Sequence, residues 1–319
     1  MRALDLFCGG GLSSVGAHAA GFTTVAGVDF NPHALSAFGV NNPQARTYCA
    51  RVEEIDIPAL SDEIGPIDAI IASPACTDHS RAKGSRPRDL VNMETALAVL
   101  PYARRMLPPI LVIENVREMR NWRGYPELLQ GLRDIGYGVS EHVLDASDYG
   151  VPQTRTRLFI VCLLGRAAPL TIPALRTGRP TVLSILDPKG TWKTRPLAEK
   201  VKATRDRVEK AFEALGHDKS FLTVFYGSDG LGYLPLDRQL RTITTLGRFA
   251  LVEPGPDGHT IRMLQIPELK RAMGVPETFH AGSGSKREQI RVIGNGVCAP
   301  VMEAILTHCR DLIRPALAA

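Results

Sequence analysis

A thiol, a carboxylate and two guanidiniums are the groups in this chain best placed to do chemistry: Cys76, Glu114, Arg155 and Arg157. Cys76 lies in Ser73-Pro-Ala-Cys-Thr-Asp-His-Ser80, just ahead of the basic, glycine-containing run Ser80-Arg-Ala-Lys-Gly-Ser-Arg-Pro-Arg88. Nearby positive charge lowers a thiol's pKa and makes it a nucleophile. Without such neighbours a solitary cysteine is an inert small hydrophobe. Glu114 ends the apolar run Ile110–Ile113, and a carboxyl partly buried at a strand end holds its proton to higher pH. Arg155 and Arg157 alternate in Gln153-Thr-Arg-Thr-Arg157, which on a strand puts both on one face. Taken alone, that pair reads equally well as a surface salt-bridge ladder.

These groups need a scaffold, and the first half of the chain supplies one. Residues 1–165 alternate short apolar runs with helical stretches, the pattern of a doubly wound α/β sheet. Strands are expected over Arg2–Phe7, Thr23–Val28, Asp68–Ala72, Pro109–Glu114, Gly138–Leu144 and Thr156–Leu163. Helices are expected near Gly11–Ala20, Pro32–Asn41, Glu94–Leu107 and Pro126–Ile135. Such sheets place active sites at the carboxyl ends of their strands, where Cys76 and Glu114 both fall. Asp5-Leu-Phe-Cys-Gly-Gly-Gly11 ends the first strand and opens a helix, so its glycines let backbone approach a ligand. Asp29, about 20 positions on, is placed for ribose hydroxyls. The dinucleotide fingerprint G-x-G-x-x-G is not matched, which speaks against a nicotinamide cofactor and leaves S-adenosylmethionine, or else a purely structural turn.

Past Gly165 the texture changes. Residues 166–196 are rich in Pro, Thr, Gly and basic side chains. A helix follows, with Leu197, Val201, Val208, Phe212 and Leu215 on one face and Gly216 as its stop. Arg241-Thr-Ile-Thr-Thr245 is strand-like, and Pro267–Met273 and Val297–Ile313 are helical. The layout is one α/β domain of residues 1–168 plus 284–319, interrupted by a smaller unit of residues 169–283.

Composition narrows the class. In 319 residues, 44% hydrophobic and 22% charged, there is ample material for a sizeable core. The net charge of +5 leans towards a polyanionic partner without requiring one. The six cysteines are scattered, with no metal-binding spacing, and fit a reducing cytosol. No apolar run approaches the roughly 20 residues of a membrane span.

The motifs and their order resemble the DNA cytosine-5 methyltransferase family. Leu4-Asp-Leu-Phe-Cys-Gly-Gly-Gly11 resembles its adenosylmethionine loop, Pro74-Ala-Cys76 its nucleophile loop, and Glu114-Asn115-Val116 its acid motif. Asp148-Tyr-Gly-Val-Pro-Gln-Thr-Arg-Thr-Arg157, Arg241–Thr245 and Ile293-Gly-Asn-Gly-Val297 are similar to its later signatures. The resemblance spans residues 1–165 and about 238–313, and the insert falls where the family keeps its target-recognition domain.

The resemblance implies a Rossmann-like, mostly parallel sheet and methyl transfer from S-adenosyl-L-methionine, leaving S-adenosyl-L-homocysteine. The acceptor would be carbon 5 of a cytosine flipped out of double-stranded DNA. Cys76 would add to ring carbon 6, Glu114 would serve ring nitrogen 3, and Arg155 with Arg157 would complete the catalytic group. Asp5, Phe7, Cys8, Gly9, Gly10, Gly11 and Leu12 would surround the cofactor, with Asp29 and Phe30 at its ribose and adenine. Pro74, Asn295 and Val297 would complete that site. Ser80, Arg81, Lys83, Asn115, Gln153, Arg241 and Thr242 would meet DNA.

Thr77, Ala75 and His79 depart from the family's loop, and Arg51, with Glu53 nearby, stands where an acidic residue often meets adenine. Lys189, Lys193, Arg195, Lys200, Lys202, Arg205 and Arg207 make the insert basic, with Trp192 and Tyr226 as stacking candidates; a merely solvated basic face is the alternative. Transfer RNA as substrate, or a silent DNA-binding paralogue, are the competing functions. The expected setting is a monomer in a prokaryotic or phage-infected cytoplasm, with no metal, no membrane and room for a cognate restriction endonuclease.

Overall fold

The computed structural model describes residues 1–74, 95–176, 178–225 and 232–317. Cys76, Ser80, Arg81, Lys83 and Tyr226, together with Ala75, Thr77 and His79, lie outside the described residues.

Among the described residues the larger sheet has seven strands: β1 (Arg2–Leu6), β2 (Thr23–Val28), β3 (Arg46–Tyr48), β4 (Ala69–Ala72), β5 (Ile110–Asn115), β6 (Tyr137–Asp145) and β7 (Thr156–Leu164). Their order is β3-β2-β1-β4-β5-β7-β6, parallel except for β7, which runs antiparallel to both neighbours. The central strands β4 and β5 are buried along their whole length, as strands covered on both faces must be. The order reverses between β1 and β4, so the loops leaving them diverge and open a crevice at their carboxyl ends.

Helices α1 (Leu12–Ala19), α2 (Pro32–Asn41), α3 (Ile57–Ile64), α4 (Val99–Met106) and α5 (Tyr125–Ile135) flank the sheet. The insert carries α6 (Lys202–Leu215), and α7 (Ile266–Arg271), α8 (Lys286–Asn295) and α9 (Ala299–Leu317) follow it. α9 packs on α1 so closely that a Cβ on Gly16 would sit 2.4 Å from the Ala299 carbonyl oxygen. Ser285 caps α8, its Oγ accepting from Glu288 N while Glu288 Oε2 accepts from Ser285 N.

A second, antiparallel sheet is built from β8 (Arg195–Pro196), β9 (Phe221–Val224), β10 (Tyr233–Pro235), β11 (Phe249–Glu253) and β12 (Thr260–Met263), in the order β10-β9-β11-β12-β8. α6 covers it, burying Val208, Ala211 and Phe212 against Phe221, Ala250, Val252 and Ile261.

Several expectations need correction. β3 and α3 are additions to the expected elements; β3 is three largely exposed residues with no apolar alternation. Val201 precedes α6 at its N-cap and is 71% exposed, so it does not share the buried face. Residues 241–245 form no strand: only Leu240 bridges, to Gln153, and the backbone beyond it bonds to side chains instead. The stretch Lys286–Ile313 is long and apolar enough to cross a membrane, against expectation, but 72% of its apolar window is buried inside the fold and the helix is interrupted between α8 and α9.

Candidate active site

The loop after β1 is drawn tight by its own backbone. Phe7, Gly9 and Gly11 all have positive φ (57°, 52° and 86°), and Gly11 N donates to the Cys8 carbonyl at 2.9 Å. A left-handed Phe7 is strained, and strain of this kind survives where surroundings impose it. Asp5 imposes part of it: its Oδ2 accepts from Ser13 Oγ and Ser14 Oγ, each at 2.7 Å, pinning the start of α1 to β1. Burial pushes the Asp5 carboxyl up to about 6, against those two hydrogen bonds, and Asp29 adds to the rise. Its Oδ1 is buried with no hydrogen-bond partner among the described residues.

The second strand contributes Asp29. Its Oδ2 accepts from Gly9 N at 2.9 Å and its Oδ1 from Asn31 N at 2.8 Å, so the two strand ends are tied together. Each oxygen keeps a second lone pair for a ligand hydroxyl. Burial raises this carboxyl's pKa, partly offset by the Asn31 and Gly9 amides and by Arg291. Phe30 follows, 60% exposed, with the Arg51 guanidinium 5.8 Å from its ring centroid. Beyond Arg51, Val52, Ile57, Leu97, Pro101 and Tyr102 line a largely apolar cleft of about 360 Å³.

The loop glycines differ sharply. A Cβ on Gly9 would meet nothing within 4 Å, whereas one on Gly10 would lie 2.3 Å from Val292 and one on Gly11 2.9 Å from Asn42. Cys8 packs its thiol with Leu35 and Phe38, and burial pushes that thiol well up. Leu12 lies against the position a Gly296 side chain would need, and Val297 is buried beside it. The side chains of Asp5, Cys8, Leu12 and Val297 therefore shape the loop from within, and Gly10 is a packing glycine. Gly9, Asp29, Phe30 and the exposed Asn295 face outward.

At the next strand end lies the acid. Glu114 is 7% exposed, and Arg157 Nε stands 3.3 Å from its Oε1. Burial raises the Glu114 pKa, opposed by Arg157 first and Arg155 second. Its neighbour Asn115 donates from Nδ2 to the Pro74 carbonyl at 3.2 Å and accepts the Val116 amide at Oδ1. That bond holds the segment entering the Cys76 loop against the strand that carries the acid. The two arrive at one edge.

Three of the expected site residues are buried and hydrogen-bonded within the fold. Arg155 precedes β7 and is 4% exposed; its Nη1 donates to Ile243 O and its Nη2 to Gly294 O and Gly296 O, each at 3.0 Å. Those bonds spend its guanidinium on backbone carbonyls, while its charge still acts on Glu114. Gln153 is fully buried, its Nε2 donating to Ala272 O and its Oε1 accepting from Ile243 N. Asn115, 2% exposed, is likewise spent on Pro74. Thr242 and Arg241 stay partly exposed, bonded to Thr154 O and Tyr233 O. In the insert, Arg207 turns inward to Val224 O and Phe225, and Trp192 donates to Asp187, whereas Lys193, Arg195 and Arg205 are exposed.

Asp145 is a site residue that the motifs do not mark. It accepts from Ser147 N, Ser147 Oγ, Arg155 N and Thr156 Oγ1 at the edge shared with Arg157. The Asp-Ala-Ser spacing is the signal that could have found it, since Asp side chains bond backbone two residues on.

A glycine loop at the switch point of a mostly parallel sheet, closed by a reversed last strand, defines a Rossmann-like methyltransferase. Solved structures share it: S. pombe Dnmt2 methyltransferase superposes with a TM-score of 0.71 at 16% identity over 99% of both chains. Entamoeba histolytica methyltransferase EhMeth does so with 0.71 at 16% identity over 98% of both. At the level of sequence, residues 1–311 match C-5 cytosine-specific DNA methylase, and the chain belongs to that family. It is 33% identical over 175 residues to Type II methyltransferase M.AquIA of Picosynechococcus sp., a match taking in 50% of this chain and 71% of that protein. It is 33% identical over 190 residues to Type II methyltransferase M.XorII of Xanthomonas oryzae pv. oryzae, covering 56% of this chain and 44% of that one.

Proposed function

We propose that this chain methylates carbon 5 of a cytosine flipped out of double-stranded DNA, through a transient adduct with Cys76. The observation that carries the reading is the buried Glu114–Arg157 pair beside the tethered Pro74. Carbon 5 of cytosine is too poor a nucleophile to react unaided. Addition of the Cys76 thiolate to carbon 6 makes carbon 5 an enamine-like nucleophile. Glu114, its pKa raised by burial, holds a proton at ring nitrogen 3, and Arg157 stabilises charge at the ring carbonyl oxygen. Once carbon 5 carries the new methyl group, a base takes its proton and elimination releases the Cys76 thiolate from carbon 6, restoring the ring.

S-Adenosyl-L-methionine, when bound, supplies the electrophilic methyl sulfonium and leaves as S-adenosyl-L-homocysteine. The residues fit such a ligand: Gly9 offers open space and Phe30 an exposed ring. Asp29 would take the ribose hydroxyls, Phe30 the adenine, and the Phe7 to Gly11 backbone the amino-acid end, near Asn295. Ser80, Arg81, Lys83, Arg241, Thr242 and the exposed bases of the insert would hold DNA phosphates and bases. The division into 1–168 plus 284–319 and a target-recognition unit of 169–283 is supported by the second sheet, which lies wholly between Arg195 and Met263. The enzyme would act in the cytoplasm as a monomer. The Type II names of M.AquIA and M.XorII favour a cognate endonuclease.

Incubation with a 5-fluorocytosine duplex and S-adenosylmethionine tests the mechanism. Fluorine cannot leave as a proton does, so a denaturation-resistant adduct should accumulate with the native chain and be absent with Cys76→Ala. Bisulfite sequencing of DNA from expressing cells gives the target. An unmodified genome together with no adduct on any duplex overturns the reading.

A further inference from the structure

We infer that Asp145 is a positioning residue for the reaction: its carboxylate latches the loop between β6 and β7 and so sets where Arg157 stands relative to Glu114. This rests on the function proposed above.

The loop leaves β6 at Asp145 and rejoins the sheet at Thr156, directly opposite in the ladder. Asp145 spans both ends. Its Oδ1 accepts from Ser147 N at 2.9 Å and Ser147 Oγ at 2.8 Å on the outgoing side, and from Arg155 N at 3.3 Å on the returning side. Its Oδ2 accepts from Thr156 Oγ1 at 2.8 Å. A backbone bond from Ala146 N to Arg155 O runs alongside. Burial works against ionisation of this carboxyl, but the bonds from Ser147, Thr156 and Arg155 hold it below the ordinary carboxylate range. Carboxylate acceptors of this kind make the stronger hydrogen bonds.

What the latch holds is chemistry at one remove. Arg155 and Arg157 flank Thr156, one clamped to Ile243, Gly294 and Gly296, the other paired with Glu114. Arg157 sits opposite Leu144, one register step from Asp145, so any shift at Asp145–Thr156 is passed to the guanidinium. Asp145 touches neither ring nor cofactor in this scheme; it acts through Arg157. Misplacing a catalytic group by about 1 Å costs on the order of 100-fold in rate.

The test compares the native chain with Asp145→Ala and Asp145→Asn. In Asp145→Ala, kcat per adduct-competent site should fall by roughly 10–100-fold with KM for DNA and cofactor within about threefold, the pattern expected when stabilisation of the transition state alone is weakened. Asp145→Asn keeps an acceptor for Ser147 and Arg155 and should recover most of that kcat. Amide hydrogen exchange across residues 146–157 should quicken in Asp145→Ala and be restored in Asp145→Asn, a readout that needs no activity. If Asp145→Ala fails to fold, the double variant Ser147→Ala, Thr156→Val removes two of the latch's donors and must show the same kcat-selective loss. Native kcat per competent site in these variants, an Asn variant as impaired as the Ala one, or unaltered exchange each overturns the inference. An inactive native chain would instead sink the functional proposal, and exchange alone would then decide the latch.

Discussion

Arg157 Nε lies 3.3 Å from Glu114 Oε1, in a place where burial and the guanidinium pull the acid in opposite directions. Burial prevails, so the acid's pKa stands above its ordinary value, and the guanidinium limits the rise. Glu114→Gln keeps the shape but removes the proton, and should lower kcat by about 100–10,000-fold while leaving cofactor affinity intact. Arg157→Ala should cost a similar factor through lost charge stabilisation. Steady-state kinetics with a cytosine-containing duplex would check both. A Gln variant within threefold of native would remove Glu114 from the mechanism.

Asp5 should leave its mark on acid stability. Its folded pKa of about 6 lies above the ordinary 3.8, so the native state binds the proton more tightly than the unfolded chain. Its favourable contribution is complete below about pH 3.8 and is lost as pH rises through about 6. The shift corresponds to about 2–3 kcal/mol. Asp5→Asn should abolish that dependence, so its stability relative to native should climb between pH 4 and pH 7. Urea unfolding at a series of pH values measures it, and parallel curves would contradict the assignment.

Arg155 should behave as a structural residue despite its place in a family motif. Arg155→Ala strands the carbonyls of Ile243, Gly294 and Gly296 and should cost about 2–4 kcal/mol. Arg155→Lys should recover little of it, because a single ammonium cannot span that fork. Thermal melts should drop in both variants. The kcat of the remaining folded fraction should stay well above that of Arg157→Ala, and equal losses would restore Arg155 to the catalytic group.

Neighbouring glycines should separate ligand binding from stability. Gly9→Ala meets no atom but forces a positive φ and fills the open cradle, so it should cost about 1 kcal/mol in stability and weaken cofactor binding. Gly10→Ala drives a methyl into Val292 and should cost about 1–3 kcal/mol, with the smaller effect on affinity. Calorimetric titration with S-adenosylhomocysteine, paired with melting curves, tests the contrast.

What was legible in the sequence was whatever local pattern decides. β4 and the Ile110–Ile113 part of β5 are unbroken apolar runs of strand length, and the carboxylate that follows the second is expected near the sheet edge. β3 is a strand only because β2 offers an edge to pair with, which three polar residues cannot announce. Arg241–Thr245 alternates like a strand, yet its peptide groups are taken by Gln153 and Arg155 from far along the chain. Arg155 and Arg157 have strand spacing and both act on Glu114, but nothing local shows that Arg155 is spent on the carbonyls of Ile243, Gly294 and Gly296. Gln153 is polar and reads as a surface residue, and only the fold reveals the buried carbonyl waiting for it.

The Arg155 clamp bears on how the molecule comes to life. During synthesis the thiol, the acid and both arginines have all been made by residue 157, but the carbonyls of Gly294 and Gly296 emerge 139 and 141 residues after Arg155. A nascent chain can therefore carry its whole chemical kit and still hold it slack. Competence would arrive abruptly, when α8 and the turn behind it dock, so fragments from stalled or clipped translation should leave the genome unmarked.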